Sequence, residues 1–122
     1  MSAAADAILR VRNLDQSLDF YQIMLGITVN WRAPNDGDGE NAMLSAGPVS
    51  LLLSTGSHLG DTPAFTGTLY FNMQGVAALF ESLKDRVEIV WPLEQMPYNQ
   101  LEFGIHDPDG YTLAFAEERS SV

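Results

Sequence analysis

Sixteen acidic against six basic residues give this 122-residue chain a formal net charge of −10, a surface that repels phosphate backbones and argues against a nucleic-acid partner. The length suits one domain, and the apolar fraction of 46% is that of an ordinary globular protein. With no cysteine there is no disulfide framework, no thiolate metal site and no thiol nucleophile.

The N-terminus, MSAAADAILRV, has no basic residue ahead of a hydrophobic run, and no stretch is long and apolar enough to span a membrane. The expectation is a cytoplasmic protein with no membrane partner. Its acidity would steer cations toward it, although solubility alone is a sufficient reason for the charge.

A first strand is expected over about 5–12, where Ala7, Leu9 and Val11 alternate with Asp6, Ile8, Arg10 and Arg12. Asn13-Leu14-Asp15 then caps a helix over 15–24, with Leu14, Leu18, Tyr21 and Leu25 on its buried stripe and Gly26 as its stop. A second strand follows at 27–33, then a polar, mobile loop at Pro34–Gly39. Strands at 41–46 and 49–54 meet at Gly47-Pro48, and residues 55–66 form a Gly-, Pro-, Ser- and Thr-rich link. The second half predicts a strand at 67–73, a helix at 76–84, a strand at 87–91, a loop over Pro92–Asn99, a strand at 100–106, a turn at Asp107-Pro108-Asp109-Gly110 and a strand at 111–117. The last residues, ERSSV, are expected to fray.

The halves are versions of one pattern. A shift of 62 positions brings Leu9 onto Phe71, Val11 onto Met73, Leu14 onto Val76, Leu18 onto Phe80 and Tyr21 onto Leu83, and each second strand ends in a tryptophan, Trp31 or Trp91. A repeat at half the chain length predicts two βαβββ modules in one domain of the α+β class. Module one covers 1–56, a linker 57–66 and module two 67–118, all within one domain over 1–122.

Two segments carry a family resemblance. Val11 to Tyr21 (VRNLDQSLDFY) and Phe103 to Leu113 (FGIHDPDGYTL) lie about 90 residues apart and flank the duplication. The Asp107–Gly110 turn alone is weak, because it is good turn chemistry anywhere. Together they resemble the vicinal oxygen chelate superfamily, the glyoxalase, bleomycin-resistance and extradiol-dioxygenase group. The resemblance implies that the two modules curl their sheets around a cup. In the family's metal-dependent members it also implies one ligand on the first and one on the fourth strand of each module. Carried onto this chain, those positions are Asp6, Leu52, Thr68 and Ala114.

Leu52 and Ala114 have no donor atoms, Thr68 is a poor ligand, and Asp6 alone holds no divalent cation. The expectation is therefore no metal and no cofactor, as in the bleomycin-resistance branch, which binds antibiotics without altering them. Thr68, Tyr70 and Asn72 share the cup face of one strand, and Thr112, Ala114 and Ala116 that of another, where small residues leave room. Trp31 and Trp91, with Phe65, Met96 and Tyr98 nearby, are suited to stacking on a flat ligand. A core or dimer role is the plainer reading of each tryptophan. His58 and His106 read as solvated loop residues. Glu102 shares a strand face with Gly104 and His106. Charged side chains favour solvent, which favours an outward Glu102. Entry into the cup, to meet a cationic ligand or act as a base, is the alternative. Arg10, if buried, would need a partner, with Asp6 the nearest.

The expected ligand set is Trp31, Thr68, Tyr70, Asn72, Trp91, Tyr98, Glu102 and Ala114, with no catalytic residue. The function so read is metal-free binding of a small molecule, an aromatic or cationic antibiotic or other bulky natural product, by a homodimer whose partner copy covers strand edges. The alternatives are a lyase, isomerase or dioxygenase with a non-standard site, or a regulatory interaction domain.

Overall fold

A computed structural model of the chain describes residues 7–65 and 67–119. Eight strands and their helices divide between two compact units, Met1–Ala64 and Phe65–Val122. Each unit carries one four-stranded mixed sheet, and the α+β class with two repeated βαβββ modules is the observed architecture.

In the first unit, β1 (Ala7–Arg10) pairs in parallel with β4 (Val49–Ser54), and β3 (Glu40–Ala46) and β2 (Thr28–Pro34) continue the sheet antiparallel. Helix α1 (Leu14–Asp19) starts where Asn13 accepts a hydrogen bond from the Gln16 amide at 3.0 Å, which satisfies one of the helix's orphan donors. The helix then widens, without a break, into a π turn over Phe20–Met24, and Gly26, at φ +71°, ends it. Leu9, Val11, Leu14, Leu18, Tyr21, Leu44 and Leu53 are buried in this unit. The Pro34–Gly39 segment is tied in place: the Asn35 amide donates to the Gly39 carbonyl at 2.9 Å, and the Asp38 carboxylate accepts from the Ser57 amide and hydroxyl at 3.0 Å. Those bonds hold the Asp38 carboxyl below its ordinary pKa.

The second unit repeats the plan with β5 (Thr68–Asn72), α2 (Val76–Leu83), β6 (Glu88–Gln95), β7 (Gln100–His106) and β8 (Thr112–Glu118), in sheet order β5-β8-β7-β6. Strand β6 corrects the expectation of a loop from Pro92. Pairing with β7 continues to Gln95, and only residues 96–99 form the connection. A proline is tolerated there because β6 is an edge strand. The core beneath α2 is aromatic: Phe71 stacks on Phe115 at 5.1 Å, Phe115 on Phe103 at 5.3 Å, and Phe80 meets Phe103 edge-on at 5.2 Å. Phe71, Phe103 and Phe115 occupy alternate positions in three neighbouring strands, so one face of the sheet is committed to the core. The other face is open for the site.

Helix α2 has no side-chain cap from its own N-cap residue, Gly75, which is left-handed at φ +79°. Its first amides are satisfied by a side chain of the sheet on which it packs. Glu117 Oε1 on β8 accepts from Gly75 N at 2.8 Å and Val76 N at 3.1 Å, and a carboxylate at a helix N-terminus also opposes the helix dipole. The Val76 amide is the leading cause holding the Glu117 carboxyl below its ordinary value of 4.5. A lowered folded-state pKa adds stability above the unfolded value and loses it as pH falls through the folded one. Glu117→Gln should therefore lower the melting temperature near neutrality. The gap to the parent should narrow as pH drops from about 6 to about 3. A gap that stays constant with pH, in parallel thermal melts, would show that the charge of this cap is immaterial.

Candidate functional site

The open face of the second sheet is set by the turn between β7 and β8. Asp107 accepts at Oδ1 from the Asp109 and Tyr111 amides, both at 2.9 Å, and Gly110 closes the turn at φ +87° with its amide 3.0 Å from the Asp107 carbonyl. This fixes the register. Glu102 lies opposite Ala116, Gly104 opposite Ala114, and His106 opposite Thr112. On β5, Thr68, Tyr70 and Asn72 pair with Thr112, Ala114 and Ala116. Directly paired residues share a face, so these side chains form three cross-strand rows.

The fourth strand joins through two irregularities, one between Ile89 and Trp91 and one between Trp91 and Glu94. Ile89 pairs with Ile105, but Trp91 pairs with Gly104, so Val90 is an extra residue. Simple alternation would put Trp91 on the face of Ile89. The bulge turns it onto the open face instead. Its indole lies flat on Gly104, where a β-carbon would sit 2.5 Å from Trp91 Cζ3 and 2.6 Å from Cε3 and Cη2. Only glycine leaves that space.

At the centre is Glu102, 2% exposed. Its Oε1 accepts from the Tyr70 hydroxyl at 2.7 Å and the Tyr98 hydroxyl at 2.6 Å, and its Oε2 from the Trp91 indole nitrogen at 3.1 Å. This corrects the expectation of a solvent-facing Glu102. Charged residues avoid burial only when they lack partners, and three donors converge here. Burial first, then the bond to Glu102, pushes the Tyr70 phenol up, and the Glu102 bond is the leading cause for Tyr98. Both therefore remain donors across the physiological range. Their rings are accessible, at 45% and 56% exposure, and Trp91 is half-buried.

Beside this cluster is a cavity of about 390 Å³ lined by Asn72, Met73, Gln74, Gln100, Ala116 and Glu118. Asn72 and Ala116 belong to the row of Glu102, and Gln100 pairs with Glu118 in the next row.

Of the expected ligand residues, the structure brings together Tyr70, Trp91, Tyr98 and Glu102, with exposed Asn72 at the neighbouring cavity. Ala114 is fully covered and forms floor, while Thr68 is exposed on β5. Trp31 stands on the first sheet at an equivalent bulge, opposite Met43, and is 45% exposed, so it is not a core residue. His106 ends β7 rather than occupying a loop, with Nδ1 3.2 Å from Glu88 Oε2. His58 lies in a short 3-10 turn, Ser57–Leu59. Arg10 donates from Nε to the Gly60 carbonyl at 3.0 Å and from a guanidinium nitrogen to the Val11 carbonyl, while Asp6 lies outside the described residues. The Trp91 bulge, the clearance at Gly104 and the cavity position of Gln100 are not among the sequence expectations. A glycine inside a strand pattern was the available signal.

Residues 4–115 match the Glyoxalase/Bleomycin resistance protein/Dioxygenase superfamily, and the chain belongs to it. Among solved structures it is similar to a glyoxylase/bleomycin resistance protein/dioxygenase domain from Frankia sp. EAN1pec, at 22% identity over 100% of this chain and 96% of that one, with a TM-score of 0.80. TioX from Micromonospora sp. ML1 shares 19% identity over 95% and 99% of the two chains, at a TM-score of 0.75. A glyoxalase I mutant (E144Q) from Zea mays shares 20% identity over 96% of this chain but 46% of its own, at a TM-score of 0.80. These likenesses are of fold. No curated protein matches the sequence.

The superfamily's metal positions do not fit an ion here. Leu52 and Ala114 offer hydrocarbon, and among the described residues no three His, Asp or Glu side chains are placed to hold one. Nor is any helix among the described residues long and apolar enough to cross a membrane.

The geometry makes Gly104 a sensitive position. Gly104→Ala should lift the indole and remove one of three donors from a buried carboxylate, at a cost of about 1–3 kcal/mol. In a Trp31→Phe background, Trp91 emission should shift to the red. Unchanged emission and stability would show that the ring does not depend on that contact.

Proposed function

We propose that this chain is a small-molecule-binding protein of its superfamily, whose ligand docks without metal on the open face of the second sheet. The carrying observation is the cluster around Glu102. A fold gains little by burying a carboxylate under three aromatic side chains when apolar residues would pack the same space. A recognition site gains much, because accessible rings offer stacking area at low entropic cost and the carboxylate orients polar groups. Small covered residues beneath, Ala114 and Ala116, let the larger side chains lie close to the sheet. A bulky, partly aromatic compound such as an antibiotic suits this surface, which would make the protein a sequestering, resistance-conferring one. It would act in the cytoplasm as a homodimer. The homodimer is supported by sheets whose outer strands have only one paired neighbour each.

Aromatic natural products and antibiotics should raise the melting temperature of the full chain, by an amount equivalent to about 2.7 kcal/mol at a hundredfold excess over Kd. Trp91→Ala and Tyr98→Ala should weaken that binding tenfold or more. Trp31→Ala distinguishes a site confined to the second sheet from one that uses both. Binding undiminished in the Trp91 and Tyr98 variants would refute the site. Recovery of a chemically altered compound, by mass spectrometry, would replace sequestration with catalysis.

A further inference from the structure

We infer that the ligand of this face carries a protonated amine or guanidinium group on an aromatic frame, a conclusion that rests on the binding role proposed above. Among the described residues, the buried side-chain atom of this face that lacks a partner is an acceptor. Gln100 lines the cavity, and its Oε1 is buried without a hydrogen-bond partner. Glu118, which pairs with Gln100, supplies a carboxylate at the same wall. One row away Glu94 lies directly opposite Glu102 across β6 and β7. Like charges opposite one another in a sheet are mutually destabilising, and a cation placed between them relieves the repulsion.

The arginine at the end of β8 is committed elsewhere: Arg119 pairs with Glu117 at 3.2 Å, on the helix side of the sheet. The ring faces of Tyr70, Tyr98 and Trp91 add attraction for a positive group, and stacking for a planar one. A buried amide oxygen calls for a hydrogen-bond donor. That requirement favours a primary ammonium or guanidinium over a quaternary ammonium, which has none. The cavity of about 390 Å³ accommodates such a head group beside the rings.

Three soluble probes of similar shape test this on the full chain: tyramine (cation), 4-propylphenol (neutral) and 3-(4-hydroxyphenyl)propionate (anion). The readouts are calorimetry and the indole N–H resonance of Trp91. Tyramine should bind about tenfold or more tightly than 4-propylphenol, with the anion weakest, and added salt should reduce the preference. Glu118→Gln and Glu94→Gln, both at accessible positions, should each reduce the preference severalfold. Glu102→Gln should reduce it further if the variant folds. Equal affinity for tyramine and 4-propylphenol, or a preference unchanged in Glu118→Gln and Glu94→Gln, overturns the inference. If only neutral compounds move the Trp91 resonance, the cation is wrong and the binding site stands. If neither these probes nor natural products move it, both fail.

Discussion

The second unit is organised around the cost of keeping one carboxylate out of water. An uncompensated charge in that position would cost several kcal/mol, so each neighbour of Glu102 is constrained to supply a donor at a fixed distance. The consequences reach outward. Tyr70 must project from β5, Tyr98 must be held by the short 96–99 connection, and Trp91 must leave the face that strand alternation assigns to it. The extra residue in β6 and the missing side chain at Gly104 follow from the last requirement. The aromatic core on the other face supports this arrangement. Phe71, Phe103 and Phe115 lock the register of β5, β8 and β7, and the open-face rows inherit that register.

Duplication explains why such a site exists once. Both modules keep the same pairing order, and both place a bulge immediately before a tryptophan. The backbone device is shared, and the chemistry is not. Trp31 lies opposite Met43 in its sheet, where Trp91 lies opposite Gly104 in its own. The first unit therefore presents an exposed ring, where the second presents one pinned between a strand and a carboxylate. One glycine and one glutamate separate an exposed ring from a pinned one.

The fold was legible because it is written in periodicity. Alternation at Ala7, Leu9 and Val11, the helix stripe through Leu14, Leu18 and Tyr21, and turn residues at Gly26 and Asp107–Gly110 each have one dominant local solution, and the repeat states it twice. The site was legible only in part. Tyr70, Asn72 and Glu102 could be assigned to one face by counting along strands. Whether Glu102 points into protein or water depends on three donors distant in sequence, which no local rule supplies. The continuation of β6 through Pro92 was hidden for a similar reason: proline argues against a strand unless the strand is at an edge, and edge position is a property of the assembled sheet. Trp91 was chosen for its ring, but its orientation rests on a bulge that residue counting passes over.

The same register argument connects the absent metal donors to the present cluster. Ala114, at a position where the superfamily's resemblance places a ligand, lies opposite both Tyr70 and Gly104. A long coordinating side chain there would project into the row occupied by the Tyr70 ring and the Trp91 indole. A methyl group leaves that row to the rings, which then close over Glu102 one row along. On the binding role proposed above, such a face would hold its ligand through ring contact, hydrogen-bond acceptors and negative charge. Its selectivity must then come from the ligand's own donors and charge.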